Sequence, residues 1–326
     1  MPFLPRSSRY SYLSLLCVLL LLTACTGSIP AENQSQAGSQ NSTINGPKNE
    51  PITYSTDSHD VLIRTFYGGG LYGSLSLGPQ VSIYGDGTYI LGLNRQGKLT
   101  TDALQQLLNT LVDTYGLLHL KRQQFSDIPD QNAAFLELYL NGKHSEFLYG
   151  AFVAQSASAQ DMDEYQRLGK ALTAITESLK GPVQPYHGTR YALLARQIFN
   201  PVHATPPYYW PLYDFTLDQV TAYECGALPP DDTSPNQESG CLKYTVPNQA
   251  VLLNDAQLQR LKPFLNNQLS GVFIEQGNYY EITLRPLLPD ELVTKKLAML
   301  GSAQSAYKDI PLHEGPLPPV TSTPAT

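Results

Sequence analysis

The amino-acid sequence predicts an α+β fold with two small domains, each an antiparallel sheet with one or two helices on one face. Three observations support this prediction. Short apolar runs are separated by turn sequences such as Asp-Gly and Asn-Gly, two longer segments repeat apolar residues at helical spacing, and a Gly-Pro pair divides the chain. Because 42% of the residues are hydrophobic and only 15% are charged, the chain has enough apolar surface to fold around a core.

The first domain is predicted to span residues 52–182. A helix begins after Thr100 or Thr101, either of which suits the N-cap position, and it ends before Gly116. A second helix covers about residues 161–180. The strands of this domain are expected at residues 61–66, 81–84, 88–91, 135–140 and 144–149, and tight turns are expected to pair the second with the third and the fourth with the fifth as hairpins.

The second domain is predicted to span residues 183–305. Asn254 is expected to cap a helix that Pro263 kinks or ends. Beyond residue 305 the chain is rich in Pro and Thr, which predicts a disordered tail over residues 306–326. The strands of this domain are expected at residues 191–198, 242–246, 272–275 and 279–284, the last two as a hairpin.

The N-terminus has the pattern of an export signal. Two arginines precede an apolar run of ten residues, 13–22, which as a helix would span about 15 Å, half the hydrocarbon core of a bilayer. The sequence that ends this run, Leu22-Thr23-Ala24-Cys25, resembles the lipobox of bacterial lipoproteins. The resemblance implies that the signal peptide, residues 1–24, is removed and that Cys25 carries lipid such as palmitate.

A polar tether is predicted behind this anchor. Residues 25–51 are mostly Ser, Gln, Asn, Gly and Pro, so they lack the apolar surface needed to fold and reach roughly 25–30 Å as a flexible chain. The lipobox resemblance places the protein on the extracytoplasmic face of the cell membrane, because two or three acyl chains hold a protein stably to a bilayer. The net charge of −7 excludes a basic surface for nucleic acid.

Two cysteines remain in the mature chain besides Cys25. Cys225 and Cys241 enclose a polar loop rich in turn-forming residues. In an oxidising compartment this pair predicts a disulfide that closes the loop and contributes about 3 kcal/mol. A redox or metal-binding pair is the alternative interpretation, but such pairs are typically spaced more closely and accompanied by histidines.

Three segments of the body resemble an uncharacterised type of lipoprotein from actinobacteria and related Gram-positive lineages. The resemblance covers most of residues 60–290 and implies placement at the cell surface, while it brings no activity and no known site. The segments are Tyr84-Gly85-Asp86-Gly87-Thr88, Gly97-Lys98-Leu99-Thr100, and Tyr279-Tyr280 ahead of Arg285-Pro286-Leu287-Leu288-Pro289.

No residue pattern in the sequence assigns a catalytic site, a metal site or a cofactor. The six histidines are dispersed and none has the spacing of a zinc-protease motif, so each is interpreted as a surface or capping residue. Glu275 and Glu281 flank a predicted hairpin and offer a carboxylate pair of the kind that glycoside hydrolases use. The preferred interpretation is that they are cross-strand neighbours on a solvent-exposed face.

One candidate binding surface stands out, the segment Tyr208-Tyr209-Trp210, which is bracketed by prolines and contains the only Trp. Rigid loops that present aromatic side chains suit protein or sugar partners. The alternative, which is favoured, is that Trp210 fills the core of its own domain. The sequence therefore predicts a non-enzymatic lipoprotein that binds an envelope protein or glycan. An envelope-directed hydrolase with a site assembled from dispersed residues is the alternative function.

Overall fold

The computed structural model describes residues 51–69, 78–128, 131–153, 157–198, 207–221, 249–300 and 307–315. They belong to one compact unit, Asn49–Thr326, which contains two open sheets with helices packed on them. This architecture confirms the predicted α+β class. The leader, the tether and the three cysteines Cys25, Cys225 and Cys241 lie outside the described residues, so the predictions made for them stay predictions.

The first sheet has eight strands in the order β5-β7-β6-β1-β2-β3-β4-β8, and every neighbouring pair is antiparallel except β5 and β7. The turn between β2 and β3 is formed by the predicted Asp-Gly pair. The Asp86 carboxylate accepts a hydrogen bond from the Thr88 amide, and Gly87 has a φ of 84°. The strands are β1 (Val61–Gly69), β2 (Val81–Tyr84), β3 (Thr88–Leu91), β4 (Arg95–Lys98), β5 (Gln124–Phe125), β6 (Asn132–Leu140), β7 (Lys143–Tyr149) and β8 (Gln184–Pro185).

Two helices cover one face of the first sheet. Helix α1 (Thr101–Asn109) is capped by the Thr100 hydroxyl, continues as a π-helical turn and stops where Gly116 takes a left-handed conformation. Helix α2 (Ala159–Ser178) is capped in the same way by Ser158. Both helices confirm the sequence prediction. The core that they enclose with the sheet includes Ile63, Leu108, Leu138, Leu168 and Ile175.

The second sheet has seven strands in the order β10-β12-β13-β9-β11-β15-β14. The pairs β10–β12 and β11–β15 are parallel and the other neighbours are antiparallel. Three short helices accompany it: α3 (Leu217–Val220), α4 (Asp255–Leu261) and α5 (Pro289–Thr294). The strands are β9 (Tyr191–Ile198), β10 (Tyr208–Tyr209), β11 (Ala250–Leu252), β12 (Ser270–Glu275), β13 (Asn278–Pro286), β14 (Lys296–Leu300) and β15 (Tyr307–Glu314).

Strand β15 lies in a segment that the sequence predicts to be disordered. Ile310 and Leu312 are buried, and because side chains alternate along a strand they point to the same face of the sheet. The strand pairs with β14 on one side and with β11 on the other. Burial of this alternating apolar pair, which the surrounding polar and proline residues obscure in the sequence, holds the segment in the sheet.

The second face of the first sheet is covered by the C-terminal half of the chain. Phe66 and Phe135 pack against Ala298 of β14, and Tyr84 packs against Leu288 just before α5. All four residues of β2 are buried for this reason, because helices cover one face of the strand and the C-terminal half covers the other. Next to this apolar contact lies a group of charged side chains.

Candidate functional site

A cleft of about 630 Å³ opens between β1, β6 and β7 on one side and α5, β14 and β15 on the other. Its volume lies within the range of small-molecule binding sites, which often form between packed layers. We refer to this space as the cleft. Among the side chains that line it are Arg64, Tyr139 and His144 from the first sheet and Asp290, Lys296 and Asp309 from the C-terminal half.

A buried arginine lies at the inner wall of the cleft. Arg64 is only 3% exposed, and its Nη2 atom donates a hydrogen bond of 2.5 Å to Asp290 Oδ2. The Tyr84 hydroxyl donates to the other oxygen of Asp290 at 2.9 Å. Arg64 Nη1 lies 3.8 Å from Glu137 Oε2, since Arg64 and Glu137 are opposite each other in the β1–β6 pair. One guanidinium therefore faces two carboxyl groups.

Glu137 is completely buried in β6 and makes its hydrogen bonds on one side only. Its Oε1 atom accepts a hydrogen bond from the Tyr139 hydroxyl at 3.2 Å and lies 3.1 Å from His144 Nε2. Burial raises the pKa of Glu137, and the charges of Arg64 and His144 oppose that rise. Burial and the neighbouring Glu137 also raise the pKa of Tyr139. The glutamate thus connects the buried arginine to Tyr139 and His144.

His144 occupies the boundary between this buried network and solvent. Its ring stacks on Tyr139 with the centroids 4.3 Å apart and the planes at 7°, because the two residues are cross-strand partners in the β6–β7 hairpin. Its Nε2 atom lies 3.6 Å from Glu146 Oε1, two residues further along β7. The sequence predicts a surface or capping role for His144, and the structure gives it contacts with two glutamates.

A second buried ion pair holds the opposite wall of the cleft in place. Arg285 in β13 donates to both oxygens of Glu291 in α5, at 2.6 and 2.7 Å, and both side chains are completely buried. Glu291 also accepts the backbone amides of Leu288 and Ala298, each at 2.8 Å. The pair therefore ties α5 to β14 and fixes Asp290, the residue that reaches Arg64.

The predicted aromatic surface separates into a buried part and an exposed part. Trp210 is 8% exposed, packs edge-on against Phe273 and donates its Nε1 hydrogen to the Phe215 carbonyl, as the favoured interpretation expects. Tyr208 is 40% exposed and Tyr209 is 83% exposed. The binding hypothesis therefore concerns the tyrosines.

The two glutamates of the third hairpin do not form a pair. Glu281 is opposite Val272 and Glu275 is opposite Asn278, so alternation along the strands places the two carboxylates on opposite faces of the sheet. Glu275 accepts the Leu217 amide at 2.5 Å at the start of α3, whereas Glu281 pairs with Arg196. The carboxylate-pair and shared-face interpretations of these residues are therefore both incorrect.

The residues that make the cleft distinctive were not predicted from the sequence. Arg64 and Glu137 each interrupt a mostly apolar strand, Val61–Gly69 and Asn132–Leu140, and a charged residue at such a position signals a buried partner. The alternation of His144 and Glu146 along one strand face was a second signal. Tyr213, which is 89% exposed, was also overlooked.

In comparisons with known proteins, no family model, curated protein or solved structure matches the chain. Within the described ranges no helix combines the length and the apolar character needed to span a bilayer.

Proposed function

We propose that the protein is a lipid-anchored extracytoplasmic binding module and that the cleft binds a short saccharide from the cell envelope. The lipobox and the polar tether support the location. The observation that carries the binding proposal is the cleft itself, about 630 Å³ between two packed layers, with charged groups and aromatic rings converging on it.

The lining of the cleft suits a ligand that bears many hydroxyl groups. Lys143 and Lys296 offer ammonium donors, and Asp60 and Asp309 offer carboxylate acceptors, so a sugar hydroxyl finds a partner for either of its roles. Tyr54 adds an aromatic ring with an apolar face and a polar edge, which matches the mixed surface of a saccharide. A ligand of one or two sugar units fits the available volume.

Titration calorimetry of the purified full chain with mono- and disaccharides released from envelope glycan tests this proposal. Replacement of Asp309 by Asn or of Lys143 by Gln removes one charge-assisted hydrogen bond to the saccharide. Each variant is therefore expected to bind the saccharide about tenfold more weakly than the wild type. Lys180→Gln, a matched substitution at an exposed position after α2, leaves binding unchanged. Full affinity in both cleft variants, or no binding of any fragment, overturns the proposal.

A second candidate function is attachment of an envelope protein to the tyrosine segment, by which we mean Tyr208–Tyr213. Two side chains in this segment, Tyr209 and Tyr213, are more than four-fifths exposed. Exposed tyrosines are a common component of protein-binding surfaces. Cross-linking of the full chain in intact envelopes distinguishes the two functions: the double variant Tyr209→Ser/Tyr213→Ser loses a protein partner at this segment, whereas Asp309→Asn retains it.

A further inference from the structure

Three side chains on the outer part of the β6–β7 hairpin converge within reach of a single ion. We propose that Glu137, His144 and Glu146 bind a divalent transition-metal ion, with Zn²⁺ as the best-fitting probe. One ligand atom from each residue lies within 4.8 Å of the other two. The sequence alone does not indicate this site, because the three residues form a set only when the hairpin pairs its strands.

The distances between these atoms match the dimensions of a zinc site. His144 Nε2 lies 3.1 Å from Glu137 Oε1 and 3.6 Å from Glu146 Oε1. Bonds of 2.0–2.2 Å in a tetrahedral arrangement place neighbouring ligand atoms roughly 3.4 Å apart. One imidazole with two carboxylates is also a ligand set that zinc and its neighbours in the first transition row accept. Small side-chain rotations therefore suffice to form the bonds.

The hairpin holds these ligands in position before any ion binds. Glu137 and Glu146 are directly opposite each other, and His144 is opposite Tyr139, so all four side chains share one face of the sheet. Stacking on Tyr139 fixes the plane of the histidine ring, and the Tyr139 hydroxyl donates to Glu137. Such contacts to ligand side chains are what orients them in metal sites.

The charges around Glu137 supply a second, independent argument. Arg64 is matched by Asp290 at 2.5 Å, and the buried Glu137 adds a further carboxylate. Its Oε2 atom accepts no hydrogen bond among the described residues, although Arg64 lies 3.8 Å away. A divalent ion adds two positive charges, and Glu146 adds one negative charge. Together with Arg64, Asp290 and Glu137, these groups then have a net charge of zero, which lowers the cost of burying Glu137.

The ion would be accessible from outside the fold. The side chains of His144 and Glu146 are 37% and 48% exposed, and His144 lines the cleft. Three protein ligands leave a fourth position of a tetrahedral site for water or for an oxygen of a molecule in the cleft. The metal site does not depend on the proposed saccharide binding, because its ligands are complete without one.

Metal titration of the untagged full chain, purified in detergent and stripped with EDTA, tests the site. Calorimetry with Zn²⁺ is expected to give one ion per chain at this site, and Co²⁺ in its place gives the visible absorption of a low-symmetry complex. His144→Gln and Glu146→Gln each weaken Zn²⁺ binding by at least about tenfold. Both side chains are partly exposed, so these variants keep the fold, which circular dichroism verifies.

Matched substitutions separate this site from other zinc-binding groups. His59→Gln changes another exposed histidine in the cleft lining, and Glu177→Gln changes an exposed glutamate on α2. Both controls keep the wild-type affinity. The proposal is overturned if wild type binds no Zn²⁺, or if His144→Gln binds it as tightly as wild type, as when Cys225 and Cys241 hold the ion.

Discussion

Two buried arginines, Arg285 and Arg64, lie on the two sides of the contact between the sheets, and their surroundings differ in charge balance. Arg285 pairs with Glu291, and the two side chains meet through two short parallel hydrogen bonds. Arg64 faces two carboxyl groups, with Asp290 at 2.5 Å and Glu137 at 3.8 Å. The first arrangement contains equal charges, whereas the second has an excess of negative charge.

The two arrangements also differ in their access to solvent. Arg285 and Glu291 are completely buried. The carboxylate oxygens of Glu291 also accept hydrogen bonds from the backbone amides of Leu288 and Ala298. The network of Arg64 borders the cleft directly, because Arg64, Asp290 and His144 all line it. A balanced, closed pair fixes the local backbone, whereas an unbalanced pair beside a cleft responds to what binds there. This difference makes the surroundings of Arg64, and not those of Arg285, suited to binding a ligand.

The largest effect is expected at the closed pair. Glu291→Ala leaves the Arg285 guanidinium buried without its carboxylate and removes two backbone hydrogen bonds, so the free energy of unfolding falls by about 3–5 kcal/mol. Urea unfolding followed by circular dichroism measures this loss. Glu177→Ala, at an exposed position, changes stability by less than about 0.5 kcal/mol. A loss below about 1 kcal/mol for Glu291→Ala would mean that the pair does not hold α5 against β14.

Intermediate effects are expected at the unbalanced network, and they are unequal. Asp290→Asn removes the charged partner of Arg64 and costs about 1.5–3 kcal/mol, the usual range for a hydrogen bond to a charged group. Glu137→Gln removes only the surplus charge and retains an acceptor for Tyr139, so it costs less than about 1 kcal/mol. The same unfolding measurement compares the two variants. Equal losses would show that Arg64 is shared equally between both carboxyl groups and would break the contrast with Arg285.

The smallest effect concerns the buried carboxylate of Glu164, which is stabilised mainly by hydrogen bonds and also by the charge of Arg167. Burial acts to raise the pKa of Glu164, but hydrogen bonds from Gln160 and from the Arg122 and Lys121 amides outweigh it and lower the pKa. The pKa of Glu164 is lower in the folded state than in the unfolded state. Ionised Glu164 therefore stabilises the fold fully above the unfolded-state pKa of about 4.3, and this stabilisation is lost as the pH falls through the folded-state pKa.

Glu164→Gln therefore removes part of the acid dependence of stability. Unfolding free energies measured between pH 3 and pH 7 should fall less steeply toward acid in this variant than in the wild type, with a difference of about 1 kcal/mol. Glu177→Gln, on the exposed side of the same helix, should keep the wild-type slope. An unchanged slope in Glu164→Gln would contradict the assignment of this carboxylate as ionised and hydrogen-bonded.

The elements that the sequence predicted correctly depend on contacts between near neighbours. Asp86 binds the amide two residues later, and Thr100 caps the helix that begins beside it. Asn254 does the same for α4, with Gln257 completing a reciprocal pair of hydrogen bonds. Each of these contacts joins residues that are two or three positions apart, so it can be predicted without knowledge of the rest of the chain.

The cleft could not be predicted in the same way. Arg64 and Asp290 are 226 positions apart, and their contact exists because β14 and α5 pack on the outer face of the first sheet. Strand β15 could not be predicted for the same reason, since Ile310 and Leu312 are buried only when the strand pairs with β11 and β14. Glu275 and Glu281 were placed on one face because the sequence does not give the strand register.

By itself the sequence determined the α+β class, the hairpins and the helices α1, α2 and α4, because turn chemistry, capping and apolar periodicity act over a few residues. Only the tertiary structure decided which charged side chains are buried, which of them share a cleft, and that Glu137, His144 and Glu146 lie together. Those outcomes depend on strand register and on packing between distant segments. The free energies that decide them come from desolvation and pairing of charged side chains, which occur only when the two sheets pack against each other.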